Sequence, residues 1–269
     1  MSSVHTGIPS RLGPVRQTYA RREDFPHVAR AFVEVSRVVR ETGLMQRTPR
    51  FYTLIAAGLA VAFGGAITGF ILLGDSWFQL LIAAVFGILF TQVAFLAHEA
   101  AHRQILASGP GNDRLARVLA AVVGMSYSWW DSKHSRHHAN PNRVGKDPDI
   151  EVDTISFLDE DAAQAPDARL DFFSKQVHTS RNICGGWWAT WLMGGLNYQV
   201  EHHLFPNMSR MHLAQASEIV REFCATHGVP YTETSLWRSY AIVIDYLNRV
   251  GLAARDPFDC PLVGQYRRA

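Results

Sequence analysis

Leu96-Ala97-His98-Glu99-Ala100-Ala101-His102 closes a long apolar run with two histidines four residues apart. If the helix predicted for that run continues through the segment, residues i and i+4 stack on one face, one turn apart. Two imidazoles placed in this way can share a metal ion where the chain leaves its apolar surroundings. Two further clusters follow, His134-Ser135-Arg136-His137-His138 and Gln199-Val200-Glu201-His202-His203. Seven of the chain's 12 histidines therefore fall in three short stretches. A single HxxxH pair is a common accident. Three dense clusters point to a polyhistidine metal centre.

Upstream of the first cluster, Phe51 to Ala97 holds a single charge, Asp75. As a helix, Phe51–Leu73 would reach roughly 34 Å, enough to span a bilayer. Gly74-Asp75-Ser76 then makes a turn, and Trp77–Ala97 is a second uncharged segment of spanning length. Two such segments in succession predict a transmembrane hairpin. Nine arginines and no lysine precede Phe51. That basic flank, with an acidic tip between the segments, places both chain ends in the cytosol. The remainder is polar, so the mean hydropathy of −0.03 averages two different solvents. A net charge of +2 points to no nucleic-acid partner. The three cysteines, Cys184, Cys224 and Cys260, are far apart and form no CxxC pair. A disulfide scaffold and a zinc ribbon are thereby excluded, and reduced thiols are expected.

The flanking segments carry weaker signals. Residues 1 to about 22 read as a disordered arm, and no signal-peptide core occurs in the first 50. Phe25, Val28, Phe32, Val35 and Val39 form a helical stripe that packs on its own domain or lies among lipid headgroups. Gly65 and Gly69 offer a small-xxx-small approach between the two apolar helices. Gln92 is placed either beside the metal or in a hydrogen bond within the hairpin. Leu115–Trp130 suits an interfacial or re-entrant helix, and Ile183–Tyr198, rich in Trp and Gly, is too short to span. Two amphipathic helices close the chain. One carries Leu213, Ala216, Val220 and Phe223; the other carries Leu236, Tyr240, Val243, Leu247 and Val250. Both stripes are expected to be core. The organisation expected is thus a cytosolic arm and amphipathic helix over 1–50, the hairpin over 51–97, and a cytosolic di-metal cap over 98–269. The fold class is an all-α integral membrane protein, one transmembrane helical hairpin with a cytosolic histidine-rich helical cap.

The chemistry admits alternatives. His98-Glu99-Ala100-Ala101-His102 also matches H-E-x-x-H, in which His98 and His102 hold zinc and Glu99 is the general base of a metalloprotease. That reading leaves the other two clusters unused. Seven imidazoles exceed the needs of one tetrahedral zinc and supply two metals of higher coordination number. His134, His137 and His138 share one helical face, whereas His202 and His203 point about 100° apart and can serve different metals. An inactive remnant that binds metal or a partner is a third reading.

HEAAH, HSRHH and QVEHHLFP resemble the three histidine boxes of the membrane fatty acid desaturases, closest to the bacterial acyl-CoA or acyl-lipid type in which glutamine opens the third box, as Gln199 does. The resemblance runs from about Arg47 to Gly251. It implies two non-haem iron ions held by His98, His102, His134, His137, His138, His202 and His203. It further implies dioxygen as co-substrate, an acyl-CoA or acyl-lipid chain as substrate, and electrons from an external ferredoxin- or flavoprotein-type reductase. The expected location is the inner cell membrane, multi-pass, with both termini and the metal site cytosolic. One departure stands out. The family has a second hairpin and an Asn/His-containing ligand segment between its second and third boxes. Here Asp161-Ala162-Ala163-Gln164-Ala165-Pro166-Asp167 runs directly between the flanks of that block. Loss of two crossings keeps every box on one side but removes tunnel wall and a ligand, for which His178 is a conceivable substitute.

The topology generates the first prediction. Single cysteines placed at Asp75 and Ser108 in a cysteine-free background will label from opposite sides of sealed vesicles. Labelling of both from the cytosolic side would rule out the hairpin.

Overall fold

The computed structural model describes residues 31–143, 146–149 and 171–253, and within them the chain is mostly helical. Helix α1 (Ala31–Glu41) buries Ala31, Val35 and Val39 against α6 (Phe172–Thr179) and α9 (Arg210–Thr226). Of the two placements open to this stripe, packing on its own domain is the one observed. The arm over 1–22, with Phe25 and Val28, lies outside the described residues.

Helices α2 (Pro49–Leu73) and α3 (Gln79–Ala101) run antiparallel, with Phe63 packed on Phe86 and Phe90. Pro49 opens α2, where a missing N–H costs nothing, and Gly74 closes it at φ +53°. Both helices are long and apolar enough to cross a membrane, at 25 and 23 residues. Of the two glycines considered for close approach, Gly69 faces Ile82 at 3.1 Å from an added Cβ, whereas Gly65 meets nothing. Only Gly69 serves the contact.

Helix α4 (Gly109–Val122), capped by Ser108 Oγ accepting from Gly111 N, lies along α3. A turn at Gly124 leads to α5 (Tyr127–Ala139), which carries the second histidine cluster. Helix α6 is capped by Asp171, whose carboxylate accepts from Phe173 N and Ser174 N. Among the described residues, the one departure from all-α architecture is a parallel pair of three-residue strands, β1 (Asn182–Cys184) and β2 (Glu233–Ser235). Between them come α7 (Gly186–Leu192), α8 (Gln199–Leu204) and α9, and α10 (Leu236–Ala253) follows β2. The core joins α1, α6, α8 and α9 through Val35, Phe173, Val200, Leu213 and Val220, among others. The stripe of α9 is thus core, as its periodicity predicts. In the stripe of α10, Tyr240 and Val243 are instead exposed, because among the described elements the helix packs chiefly on the narrow two-stranded sheet. The helix runs on through Gly251 to Ala253.

The third histidine cluster reaches the first through a close approach. Gly194 and Gly195 follow α7 at φ +59° and +83°, and a Cβ on Gly194 would collide with the Phe95 ring on α3. Only glycine accepts both the left-handed backbone and that contact. Gly194→Ala is expected to destabilise the protein by about 2–5 kcal/mol, the sum of backbone strain and overpacking. Gly58→Ala, where a Cβ meets nothing within 4 Å, serves as control. Thermal unfolding in detergent measures both, and an unchanged midpoint for Gly194→Ala would refute the assignment.

Candidate metal centre

Three element ends meet at the site: the last turn of α3, with His98 and the capping residue His102; α5, with His134, His137 and His138; and α8, with His202 and His203. The α3 pair stacks as i, i+4 spacing requires, ring centroids 4.6 Å apart. His134 Nε2 lies 3.1 Å from His98 Nε2, 2.9 Å from His102 Nε2 and 3.0 Å from His138 Nε2. A neutral imidazole nitrogen either donates one proton or accepts one. Three such contacts at one nitrogen are therefore not three hydrogen bonds. They are lone pairs turned toward a common point.

The spacing suits a cation. A metal–imidazole bond of about 2.1 Å puts ligands at right angles about 3 Å apart, the separation found around His134. His202 Nε2 is buried without a hydrogen-bond partner. It joins the nitrogens of His98, His102, His134 and His138 in a set lying within 4.8 Å of one another. Leaving such a buried nitrogen unsatisfied costs about 1–3 kcal/mol, and a bound ion removes that cost. The donor set fits a metal.

Electrostatics agree with this. Burial first, and neighbouring imidazoles second, hold His102, His202 and His203 well below the ordinary histidine value. The same causes lower His134 to about 4 and His138 to about 3. At neutral pH these rings are uncharged, the form that ligates. The Trp130 ring stacks on His134 at 4.4 Å and meets His98 edge-on at 5.6 Å, covering one side of the set.

Two predicted ligands stand apart from the five. His137 Nδ1 lies 2.9 and 3.0 Å from the carboxylate oxygens of Asp147, and 3.3 Å from Asp149 Oδ2. Asp147 is fully buried and also accepts from the backbone N–H of Asn142 and Asp149. These partners hold the Asp147 carboxylate as a fixed acceptor for the Nδ1–H of His137. The His203 ring stacks on His138 at 4.5 Å and approaches His137 at 5.0 Å, outside the five-nitrogen set. His137 and His203 share the wall of a cavity of about 360 Å³ with Gln199 and Arg181. His178, on α6, is not among the converging nitrogens.

The carboxylates inside the motifs are structural. Glu99 is buried, and its two oxygens take Arg210 Nε and Nη2 at 2.6 Å each. The Tyr52 hydroxyl stands 3.3 Å from the same carboxylate and 3.0 Å from Gln104 Oε1, while Gln104 Nε2 donates to the Pro206 carbonyl. A carboxylate clamped by a guanidinium is no general base, so the metalloprotease reading is overturned. Glu201 accepts from Asn182 Nδ2 and the Tyr231 hydroxyl, and burial pushes it up to about 7 against those bonds. It ties α8 to β1. Gln92 neither approaches the histidines nor pairs with α2: its Nε2 donates to the Leu192 carbonyl at the end of α7.

Sequence reasoning missed Asp147, Gln104, Arg210 and Tyr231. Asp147 had a local signal, a carboxylate ten residues beyond His137, whereas Arg210 lies 111 residues from Glu99 and had none.

Converging neutral imidazoles on three helices, beside two long apolar helices, define a helical protein whose histidine cluster is able to hold a metal ion. The chain belongs to the fatty acid desaturase family, whose sequence model matches residues 75–173 and 154–235. It is 20% identical to a Delta(8)-fatty-acid desaturase of Borago officinalis over 330 residues, 80% of this chain and 74% of the relative. A Delta(8)-fatty-acid desaturase 2 of Arabidopsis thaliana is 22% identical, covering 76% of this chain and 70% of its own. A Delta(5) fatty acid desaturase of Caenorhabditis elegans is 39% identical over 79 residues, 29% of this chain and 18% of the relative. No solved structure matches the chain.

Removing one partner of the Glu99–Arg210 pair strands a buried charge. Arg210→Met is expected to cost about 3–5 kcal/mol, and Arg210→Met with Glu99→Gln to recover most of it. Thermal unfolding checks both, and equal losses in single and double variants would show that the charge is not what matters.

Proposed function

We propose that the chain is a membrane fatty acid desaturase whose three histidine clusters hold two iron ions. The observation that carries this is the convergence of five neutral imidazoles from all three clusters in a member of that family. As a family member it is an oxidoreductase that acts on fatty acids with O2. His98, His102, His134, His138 and His202 would hold one iron; His137 and His203 would serve the second beside their shared cavity. When bound, the iron pair supplies the oxidising power needed to break unactivated C–H bonds with dioxygen.

The rest of the chain has complementary tasks. Leu54, Val61, Ile71 and Leu72 of α2 and Leu80 and Leu81 of α3 are exposed, as lipid-facing side chains are. In this reading α2 and α3 cross the inner membrane with both ends cytosolic, residues 1–50 form the arm, 51–97 the hairpin and 98–269 the cap. An apolar cleft of about 420 Å³ between the two helices, lined by Ile55, Leu59, Val85 and Ile88, extends to Trp191 and Arg210. Because Arg210 holds Glu99 next to His98, an acyl chain in the cleft is led toward the histidines. The bilayer supplies an acyl-lipid or acyl-CoA substrate, and a ferredoxin- or flavoprotein-type reductase supplies electrons. Trp130 and the cap exclude water from the buried rings.

The relatives spend 330 aligned residues on what this chain covers with 80% of its 269. That difference supports the absence of a second hairpin, expected at Asp161–Asp167, outside the described residues. Without those walls the methylene pair is held less closely, and positioning sets the rate. Cells that express the chain with a reductase are therefore expected to form little unsaturated product, all of it lost in His138→Ala. Purified protein is expected to hold iron, near two per chain, with His202→Ala and His137→Ala each losing metal. Iron binding without any product would identify the inactive remnant. A single zinc that survives both substitutions would refute the proposal.

A further inference from the structure

We propose that Gln176 is a positioning residue for the centre: its side-chain amide fixes which nitrogen of His203 carries a lone pair. The inference rests on the metal-centre reading and goes beyond it, because Gln176 belongs to none of the histidine clusters.

Gln176 lies in the middle of α6 and is completely buried, between Phe173 and Val177 in sequence. A buried amide that could be replaced by leucine or methionine in the same volume carries a desolvation cost unless both its ends are bonded. Both are. Gln176 Nε2 donates to the His138 backbone carbonyl at 3.0 Å, and Gln176 Oε1 lies 3.0 Å from His203 Nδ1.

The chemistry of the partners removes the usual ambiguity of amide and imidazole orientation. A carbonyl oxygen only accepts, so the nitrogen end of the amide must face His138. The oxygen end then faces His203, and it too only accepts. His203 Nδ1 must therefore carry the proton. A neutral imidazole has only one N–H, so its lone pair sits on Nε2. That lone pair meets the Gln199 amide nitrogen at 2.8 Å, on the wall of the cavity shared with His137.

The consequence is uniformity. The contacts of His98, His102, His134 and His138 are made through Nε2, and the orphaned nitrogen of His202 is Nε2 as well. His137 donates its Nδ1–H to the Asp147 carboxylate, which leaves the lone pair on Nε2. Gln176 brings His203 to the same tautomer with a neutral amide, where His137 uses a carboxylate. It also ties that choice to the backbone of the second cluster, so a shift of α5 at His138 is felt at α8. Removing a hydrogen-bond partner of a metal-binding histidine lowers metal affinity about 10- to 100-fold.

The test uses the full chain in lipid nanodiscs, selectively labelled with 15N-histidine, with the His203 signals identified by their loss in His203→Gln. Before metal is added, wild-type protein should show a protonated Nδ1 and an unprotonated Nε2 for His203. A His203 that carries its proton on Nε2 would overturn the proposal with no variant needed. In Gln176→Leu the fixed pattern should give way to exchange between tautomers, and the weaker of the Co(II) sites should lose about 10- to 100-fold in affinity while the tighter one is kept. Gln176→Glu, protonated in this buried site on the oxygen that faces the His138 carbonyl, keeps both the donor and the acceptor for Nδ1–H and should restore both the tautomer and Co(II) uptake. A Gln176→Leu protein with the wild-type tautomer and affinity would overturn the role, as would a Gln176→Glu protein as impaired as the leucine variant. If wild-type protein takes up no Co(II), the metal-centre reading itself falls. The two failures are distinct because the tautomer is read without metal.

Discussion

The buried pair between Glu99 and Arg210 is the constraint on which the arrangement rests. It joins the end of α3 to the start of α9, two elements with no neighbouring sequence, through two bonds of 2.6 Å. Each charge would be costly alone, and each is held in place by the other. Because Glu99 sits inside the first histidine cluster, the same pair sets the rotation of the α3 terminus and hence the direction of His98 and His102. Tyr52 and Gln104 extend the network to α2 and to the Pro206 carbonyl. The apolar helices and the cap are therefore fixed to each other next to the histidines.

Around that pair the centre is organised by groups that never touch its focus. Asp147 fixes His137, Gln176 fixes His203, and Glu201 anchors α8 through Asn182 and Tyr231. The five remaining rings are neutral because burial makes charge expensive, not because a base holds their protons. Such a set offers several lone pairs in a small, dry volume, which is what a multiply coordinated cation requires.

Much of this was legible in the residues. The uncharged runs gave α2 and α3 within a few positions, although α3 starts at Gln79 and carries on through Ala101. The i, i+4 spacing of His98 and His102, and the common face of His134 and His138, follow from helical periodicity alone. Convergence of His202 with them does not, since it depends on Gly194 letting the chain close against Phe95 and on Gly195 against Arg210. Periodicity misled at α10, where Tyr240 and Val243 stay exposed and two short strands are the chief partner among the described elements. It was silent on Arg210, whose pairing with Glu99 is a matter of tertiary distance. H-E-x-x-H likewise could not show that its glutamate is already taken.

The five-histidine set also imposes an order in time. His202 follows His98 by 104 residues, so at a synthesis rate of roughly 5–20 residues per second the first cluster waits about 5–20 s for the third. During that interval α3 is already made, while Glu99 still lacks Arg210 and His98 has no ring from α8 beside it. Helix α8 has only six residues, too few to form alone in water. The five-nitrogen set is thus completed only once α8 has been made and has α3 and α5 to pack against.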